Sequence, residues 1–258
     1  MKIHSTAIVS KKAELGKGVV VRPYAIIGDG VKIGVASVIG PHCVIEGNTT
    51  IGKRCQVFNA ATVGSSPQDL KYKGEDSFLE IGDDNIIREY VTINPGTEEN
   101  SKTTVGNNNL IMAYSHIAHN CEIGNNCIIA NAGTLAGYVR LEDRVVVGGL
   151  VAIHQFTRVG TLSIIGGCSK VVSDVPPYST CDGHPARVYG LNLVGLRRQK
   201  ISKGSIKELS HAFKILFNSG LTVGSALKNL SEEKYTSAEI SHLINFIKGS
   251  KRGVCRHR

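Results

Sequence analysis

Residues 105–129 read VGNNNLIMAYSHIAHNCEIGNNCII, and every sixth residue of that stretch is aliphatic: Val105, Ile111, Ile117, Ile123 and Ile129. The same phase runs back to Ile3 and forward to Val171, with 26 aliphatic residues at 29 positions; the misses are Asp69, Glu75 and Glu99. A small or slim side chain stands two residues before many of the aliphatics, as in Ala25, Ser37, Cys43, Cys55, Ala61, Ser115, Cys121, Cys127 and Gly133. A period of six with one inward aliphatic per repeat fits short flat strands joined by tight corners, three to a coil. Residues 18 apart then lie above one another, coils being about 4.8 Å apart. The predicted fold is mainly β: a left-handed parallel β-helix of hexapeptide repeats over residues 1–177, an exception to the right-handed crossover rule. Gly followed by Asn or Asp often succeeds the aliphatic, as in Ile81-Gly82-Asp83-Asp84 and Ile123-Gly124-Asn125-Asn126. These residue types are expected to supply the positive φ of the corners.

Two interruptions keep the phase and are therefore expected to leave the prism as excursion loops near 64–80 and 94–104. A solenoid has no need of such loops for stability, and long loops often carry function. The repeat is predicted to stop at Val175-Pro176-Pro177, because prolines cannot continue a strand ladder. Residues 178–258 are read as a C-terminal loop, about 178–190, followed by an α-helical domain. The stripes Ile206, Leu209, Phe213, Leu216, Phe217 and Ile240, Leu243, Ile244, Ile247 predict helices over Ser205–Phe217 and Ser237–Lys248, with a shorter one over Ser225–Leu230.

Composition narrows the function classes. No apolar run approaches the roughly 20 residues of a membrane span, and the opening Met-Lys-Ile-His-Ser-Thr lacks the apolar stretch of a signal peptide, so a cytoplasmic location is expected. The net charge is +9 and lies in the tail: residues 191–258 hold 13 Lys/Arg and 4 Asp/Glu, whereas residues 1–190 hold 17 of each. A basic tail suits an acidic protein, a phosphorylated ligand, an anionic membrane face, or plain solvent. It has no aromatic interleaving, which argues against nucleic acid. Cys43, Cys55, Cys121 and Cys127 occupy the small-residue phase and read as packing residues, while Cys168, Cys181 and Cys255 have no partner spacing. Neither a disulfide nor a metal site is expected.

Chemistry on a prism wall must come from polar outliers. His116 and His119 flank inward-pointing Ile117, and His154 follows inward-pointing Ile153. Histidine supplies a base near neutral pH. Two histidines three apart serve equally as metal ligands or as plain surface residues, and the residues alone leave these readings open.

The run His116-Ile117-Ala118-His119-Asn120-Cys121, with Gln68-Asp69-Leu70-Lys71-Tyr72 before it, resembles the bacterial acyl-carrier-protein–UDP-N-acetylglucosamine O-acyltransferases. So do Leu135-Ala136-Gly137, His154-Gln155-Phe156, Gly166-Gly167-Cys168-Ser169 and Asp174-Val175-Pro176-Pro177-Tyr178. The resemblance implies a cytoplasmic homotrimer that moves a 3-hydroxyacyl group from acyl carrier protein to the 3-hydroxyl of UDP-N-acetylglucosamine, the first step of lipid A biosynthesis, without a cofactor. It implies that His119 is the general base and that the Gly137 N–H steadies the oxyanion; the two are 18 residues apart, one coil. Asp69 and Lys71 would hold the sugar from across a subunit boundary. His116, His154 and Gln155 would line the cleft, Asn192 and Arg198 would contact the nucleotide, and Gly167 would set acyl length. The basic tail would meet the acidic carrier protein. Asn94 and Tyr138 stand where that family usually has histidine, Val194 where it has Glu, and Gln199 where it has a second Arg. An amide-forming relative acting on a UDP-3-amino sugar fits the same base. A γ-class carbonic anhydrase would use His116, His119 and His154 as metal ligands, but has no use for the Asp69–Lys71 loop or the basic tail.

Overall fold

The computed structural model of the chain describes residues 1–256. Twenty-six short strands, from Lys2–Ile3 to Lys170–Val171, wind into three sheets that form the sides of a left-handed triangular prism. Away from the two excursions each strand pairs in parallel with the one 18 residues on: Lys2 lies opposite Val20, Ile8 opposite Ile26, Glu14 opposite Lys32. The aliphatic of each hexad points inward, and Ile39, Ile45, Ile87, Ile93, Ile111, Ile117 and Leu135 are all 0% exposed. Burying one such side chain contributes about 1.5–3 kcal/mol, and from Val21 onward the repeat does so in hexad after hexad, only the first coil leaving Ile3 exposed. The small residue two positions earlier fills the inside of the corner; Ala25, Ser37, Cys43, Cys55 and Ala61 are buried there. Burial pushes the Cys43 and Cys127 thiols up to about 11 and that of Cys121 to about 12. These cysteines are packing groups without reactivity.

The corners correct the expectation about glycine. At most corners positive φ falls on the third residue after the aliphatic, whatever its type: Arg54 (54°), Asn126 (58°), Tyr138 (60°) and Phe156 (64°). Glycine directly after the aliphatic serves close approach instead. A Cβ on Gly82 would stand 2.8 Å from the Gly106 carbonyl oxygen of the next coil. The left-handed conformation costs a side-chain-bearing residue about 1–2 kcal/mol, and hydrogen bonds between coils, such as Tyr138 N–H to the His119 carbonyl at 3.0 Å, hold it in place.

The pairing offset rises from 18 to 30 where Ile51 meets Ile81, falls to 24 where Ile81 meets Val105, and returns to 18 where Val105 meets Ile123. Two hexads and then one have been extruded, which accounts for the three phase positions held by Asp69, Glu75 and Glu99. Strands resume at Phe78–Ile81 and Lys102–Val105, a few residues earlier than the loop bounds read from the sequence. Both excursions leave the edge between the second and third sheets, after Val63 and Ile93. His119 lies on that same edge, between His116–Ile117 of the second sheet and Glu122–Ile123 of the third.

The segment 178–190 is a β-hairpin, which corrects its reading as a loop. Ser179–Gly183 pairs in parallel with Ile164–Ile165, and Ala186–Leu191 returns antiparallel, extending the first sheet beyond the two prolines. The unpaired edge of the last coil offers the partner, and no periodicity announces it. Four helices follow: α1 (Leu193–Arg198), α2 (Lys203–Asn218), α3 (Val223–Glu232) and α4 (Ala238–Lys248). The short α1, capped by Asn192, was not foreseen. Leu209, Phe213 and Leu216 of α2 face Ile240, Leu243, Phe246 and Ile247 of α4 in one buried cluster. Tail and prism interlock. His242 of α4 lies between Tyr178 OH (2.9 Å) and Glu142 Oε2 (3.0 Å), and Ser250 Oγ donates to buried Asp174. Cys181 and Cys255, distant in sequence, are brought into hydrogen-bond contact inside this junction. Among the described residues no helix is long and apolar enough to cross a membrane.

Candidate active site

His119 is the second residue after inward-pointing Ile117, where the chain turns the corner; the turn throws its side chain outward along the prism edge. The stacking rule puts Gly137 one coil further on, and the two are in contact. A Cβ on Gly137 would lie 2.5 Å from His119 Cε1 and 2.6 Å from Nε2, so only glycine leaves room for the ring. The Gly137 N–H finds no acceptor among the described residues. His119 is largely buried, its side chain 12% exposed. Its Nδ1 lies 2.8 Å from Asn120 Oδ1, and its Nε2 faces Asp69 Oδ2 at 3.7 Å.

Asp69 and Lys71 come from the first excursion of this same chain. Asp69 Oδ1 accepts from the Lys71 N–H at 2.9 Å, a local turn that aims the other carboxylate oxygen at the imidazole. The loop leaves the edge that carries His119 and folds back over it, so in the single chain Asp69 and Lys71 stand beside their own His119. Asn94, buried at 4% exposure, pins the base of the loop through its Nδ2, which donates to the Ser65 carbonyl at 2.9 Å.

Asp69, Lys71, His119 and Gln155 thus line one cavity of about 550 Å³, together with Glu75, Thr97, Glu98, Glu99, Tyr138 and Phe156. That volume falls within the usual range of small-molecule sites. Tyr138 meets the His119 ring edge-on at 5.4 Å and stacks on Phe156 at 4.8 Å, forming an aromatic wall. Thr97 and Glu98 enter from the second excursion. Thr97 Oγ1 donates to Asn120 Oδ1 at 2.9 Å, Asn120 Nδ2 donates to Glu98 Oε2 at 3.1 Å, and Tyr138 OH donates to the other oxygen of Glu98. The sequence marked both excursions as functional but carried no pattern that singled out Thr97 or Glu98.

The remaining residues lie outside this cavity. His116 projects from the second sheet, its Nδ1 2.7 Å from Thr92 Oγ1; burial, with a lesser contribution from the charge of His119, lowers its pKa from the ordinary value. His154 is exposed at the corner one coil beyond Ala136, where the Arg252 guanidinium approaches its Nδ1 at 3.3 Å. Gly167 is exposed on a different edge, beside Gly149. Asn192 is committed to capping α1 and to the Leu162 carbonyl, and Arg198 is exposed at the end of that helix. Among the described residues no three His, Cys, Asp or Glu side chains are gathered to hold a metal ion.

A parallel hexapeptide prism with one imidazole held against a glycine backbone at its edge defines a hexapeptide-repeat transferase. The bacterial transferase hexapeptide profile matches residues 102–136, and the second-domain profile of UDP-N-acetylglucosamine O-acyltransferase matches residues 174–255. An acyl-[acyl-carrier-protein]–UDP-N-acetylglucosamine O-acyltransferase of Alkalilimnicola ehrlichii is 49% identical over 256 residues, 99% of each chain. The solved UDP-N-acetylglucosamine acyltransferase of Campylobacter jejuni superposes with a TM-score of 0.94 at 43% identity, covering all of both chains. That of Moraxella catarrhalis superposes at 0.95 with 41% identity, covering 99% of this chain and 100% of that one. The chain belongs to the acyl-[acyl-carrier-protein]–UDP-N-acetylglucosamine O-acyltransferase family.

Proposed function

We propose that this protein transfers an (R)-3-hydroxyacyl group from acyl carrier protein to the 3-hydroxyl of UDP-N-acetylglucosamine, the first step of lipid A biosynthesis, in the cytoplasm. The observation that carries the reading is the contact between the His119 ring and Gly137, with Nε2 turned to the cavity. In this reading His119 Nε2 takes the proton of the sugar hydroxyl as its oxygen attacks the thioester carbonyl. The Gly137 N–H, otherwise unpartnered, donates to the tetrahedral oxyanion. When the carbon–sulfur bond breaks, the imidazolium returns the proton to the departing thiolate. Asp69 and Lys71 present one acceptor and one cation to the sugar, and Gln155 closes the far side. Tyr138 and Asn94 replace family histidines, and Asn94 is used on the loop rather than the cavity.

The reading also assembles the chain as a homotrimer. The first sheet turns an aliphatic row outward, with Val20, Val38, Ile86, Leu110, Ile128, Val146 and Ile164 half-buried in the single chain. A sheet side meant for water carries polar residues, as the third does with Glu14, Lys32, Glu122, Arg140 and Arg158. Covering the aliphatic row with a second copy brings another prism edge to each site. Gly167, Asn192 and Arg198, remote from their own cavity, then serve a neighbouring one together with His116 and His154. Arg198 suits a diphosphate because its fork binds two oxygens at once. The tail (178–258) offers the basic face to acyl carrier protein, while the prism (1–177) does the chemistry.

His119→Ala should lower kcat by about 10²–10⁴ while sugar binding persists. Mass spectrometry of the product formed from UDP-N-acetylglucosamine, with its 3-amino analogue offered in parallel, identifies the bond made. Near-wild-type turnover in His119→Ala, or no acylation of either sugar, overturns the reading.

A further inference from the structure

A general base acting on a sugar hydroxyl needs its accepting nitrogen unprotonated and aimed at the substrate, and a neutral imidazole has two tautomers to choose from. The usual device for the choice is a carboxylate behind the ring, which can only accept. Here the residue behind His119 is Asn120, whose amide can face the ring with either its oxygen or its nitrogen. Its orientation must therefore be set by something else.

We propose that Glu98, carried in by the second excursion, is a positioning residue that fixes the tautomer of His119 by locking the Asn120 amide. The logic is one of donors and acceptors. An ionised carboxylate offers only acceptors, so the amide group facing Glu98 Oε2 must be Nδ2–H₂, at 3.1 Å. The amide oxygen is then forced to the other side, where it meets the Thr97 hydroxyl at 2.9 Å and His119 Nδ1 at 2.8 Å. An oxygen there can only accept, so Nδ1 must carry the ring proton, leaving the Nε2 lone pair facing the cavity. The hydrogen bond from Tyr138 holds the Glu98 carboxyl below the usual carboxylate range, so it stays ionised at neutral pH.

The second excursion is built to hold Glu98 in place. The Ser101 hydroxyl accepts from the Glu98 N–H at 2.9 Å and donates to its carbonyl at 2.7 Å. The Gly96 N–H donates to the Phe78 carbonyl, and Glu99 accepts from the Asp76 N–H, tying the second excursion to the end of the first. Tyr138, one coil beyond Asn120, donates to the second oxygen of Glu98, so Glu98 and Tyr138 form one unit. This gives the extra hexad a reason to exist: it brings a carboxylate behind the base without placing one on it. The charged and titratable groups around the ring are then Asp69 at Nε2, Glu98 behind Asn120, His116 on the adjoining sheet, and Lys71, Glu75 and Glu99 on the rim.

The inference rests on His119 being the base, and the experiment separates the two. Glu98→Gln keeps the size but adds a donor, so the Asn120 amide is free to flip and present Nδ2 to the ring, moving the proton to Nε2. Because Glu98 is exposed at the rim, the variant should fold with an unchanged melting temperature. Its kcat should fall by tenfold or more, up to the roughly 10²–10⁴ of losing the base outright, with KM for UDP-N-acetylglucosamine little altered. Nitrogen-15 resonances of His119 should show the Nδ1–H tautomer in the wild type and loss of that form in Glu98→Gln. Adding Asn120→Asp to Glu98→Gln should recover at least ten of the lost folds, since an aspartate accepts without instruction. Asn120→Asp alone should move the acidic limb of the kcat/KM profile to higher pH, because a carboxylate on Nδ1 favours the imidazolium. Wild-type kcat and tautomer in Glu98→Gln, or no recovery in the double variant, overturn the role of Glu98. An active His119→Ala overturns the base assignment instead, while the nitrogen-15 signature still reads whether Glu98 sets the tautomer.

Discussion

Replacing Gly137 by alanine tests the contact on which the site is built. The added methyl would lie 2.5 Å from His119 Cε1 and 2.6 Å from Nε2. Carbon atoms rest at about 3.5–4.0 Å, so one partner must yield by about 1 Å. The methyl sits on backbone that is locked into the coil, since the Gly137 carbonyl accepts from Phe156 N–H at 3.0 Å and Tyr138 N–H donates to the His119 carbonyl. The ring must therefore move, and it is confined by its 2.8 Å bond to Asn120 and by the edge-on Tyr138 ring. A displacement of that size at a reacting group costs on the order of 10² in rate, which is about 2.7 kcal/mol. Gly137 lies outside the left-handed φ region, so the backbone accepts alanine without strain, and the melting temperature should hold. Steady-state kcat with 3-hydroxyacyl carrier protein and UDP-N-acetylglucosamine, with KM and melting temperature alongside, gives the measure. The same substitution in a His119→Ala background should be silent, because the methyl then occupies space the ring has vacated. A kcat within threefold of wild type refutes the reasoning, as does a full further loss in the His119→Ala background.

Three other outcomes are expected. Ile87→Ala removes a fully buried rung of the prism far from the catalytic edge; it should cost about 2–5 kcal/mol, read as a clear fall in melting temperature, and an unchanged midpoint would deny the interior its role. Burial depresses the pKa of folded His116, so as pH falls below about 6.5 the unfolded chain takes up the proton first and stability drops. His116→Gln should therefore flatten the decline in melting temperature between pH 7 and pH 5, and parallel curves would remove that cause. Finally, kcat/KM for the carrier-protein substrate should fall steeply with added salt, because the whole excess of +9 resides in residues 191–258; a flat salt response would leave the tail a solvated surface.

The homologous family and the site were legible from the chain to different depths. His119 and Gly137 could be paired by counting, because 18 residues make a coil wherever the repeat is unbroken, and the ring contact bears out that arithmetic. Asp69 was visible as an outlier in the phase, yet its meeting with His119 was not, since an extruded hexad has no register with the coil it folds onto. Asn120 stood in the quoted motif without a task, because its task depends on Thr97 and Glu98. Their place comes from loop-to-loop hydrogen bonds rather than from spacing.

By itself the sequence determined the prism, its three sides, the two extrusions and the helical nature of the tail. The first three follow from one local rule, repeated: an aliphatic every sixth residue must leave water, and stacked three-sided coils let the row do so; the tail follows from apolar stripes at helical spacing. The tertiary structure alone decided which nitrogen of His119 faces the cavity, that Ser179–Gly183 and Ala186–Leu191 close the first sheet, and that Cys181 meets Cys255. Those outcomes depend on groups far apart in the chain satisfying one another's donors, acceptors and open strand edges, and no period in the sequence encodes a contact that occurs only once.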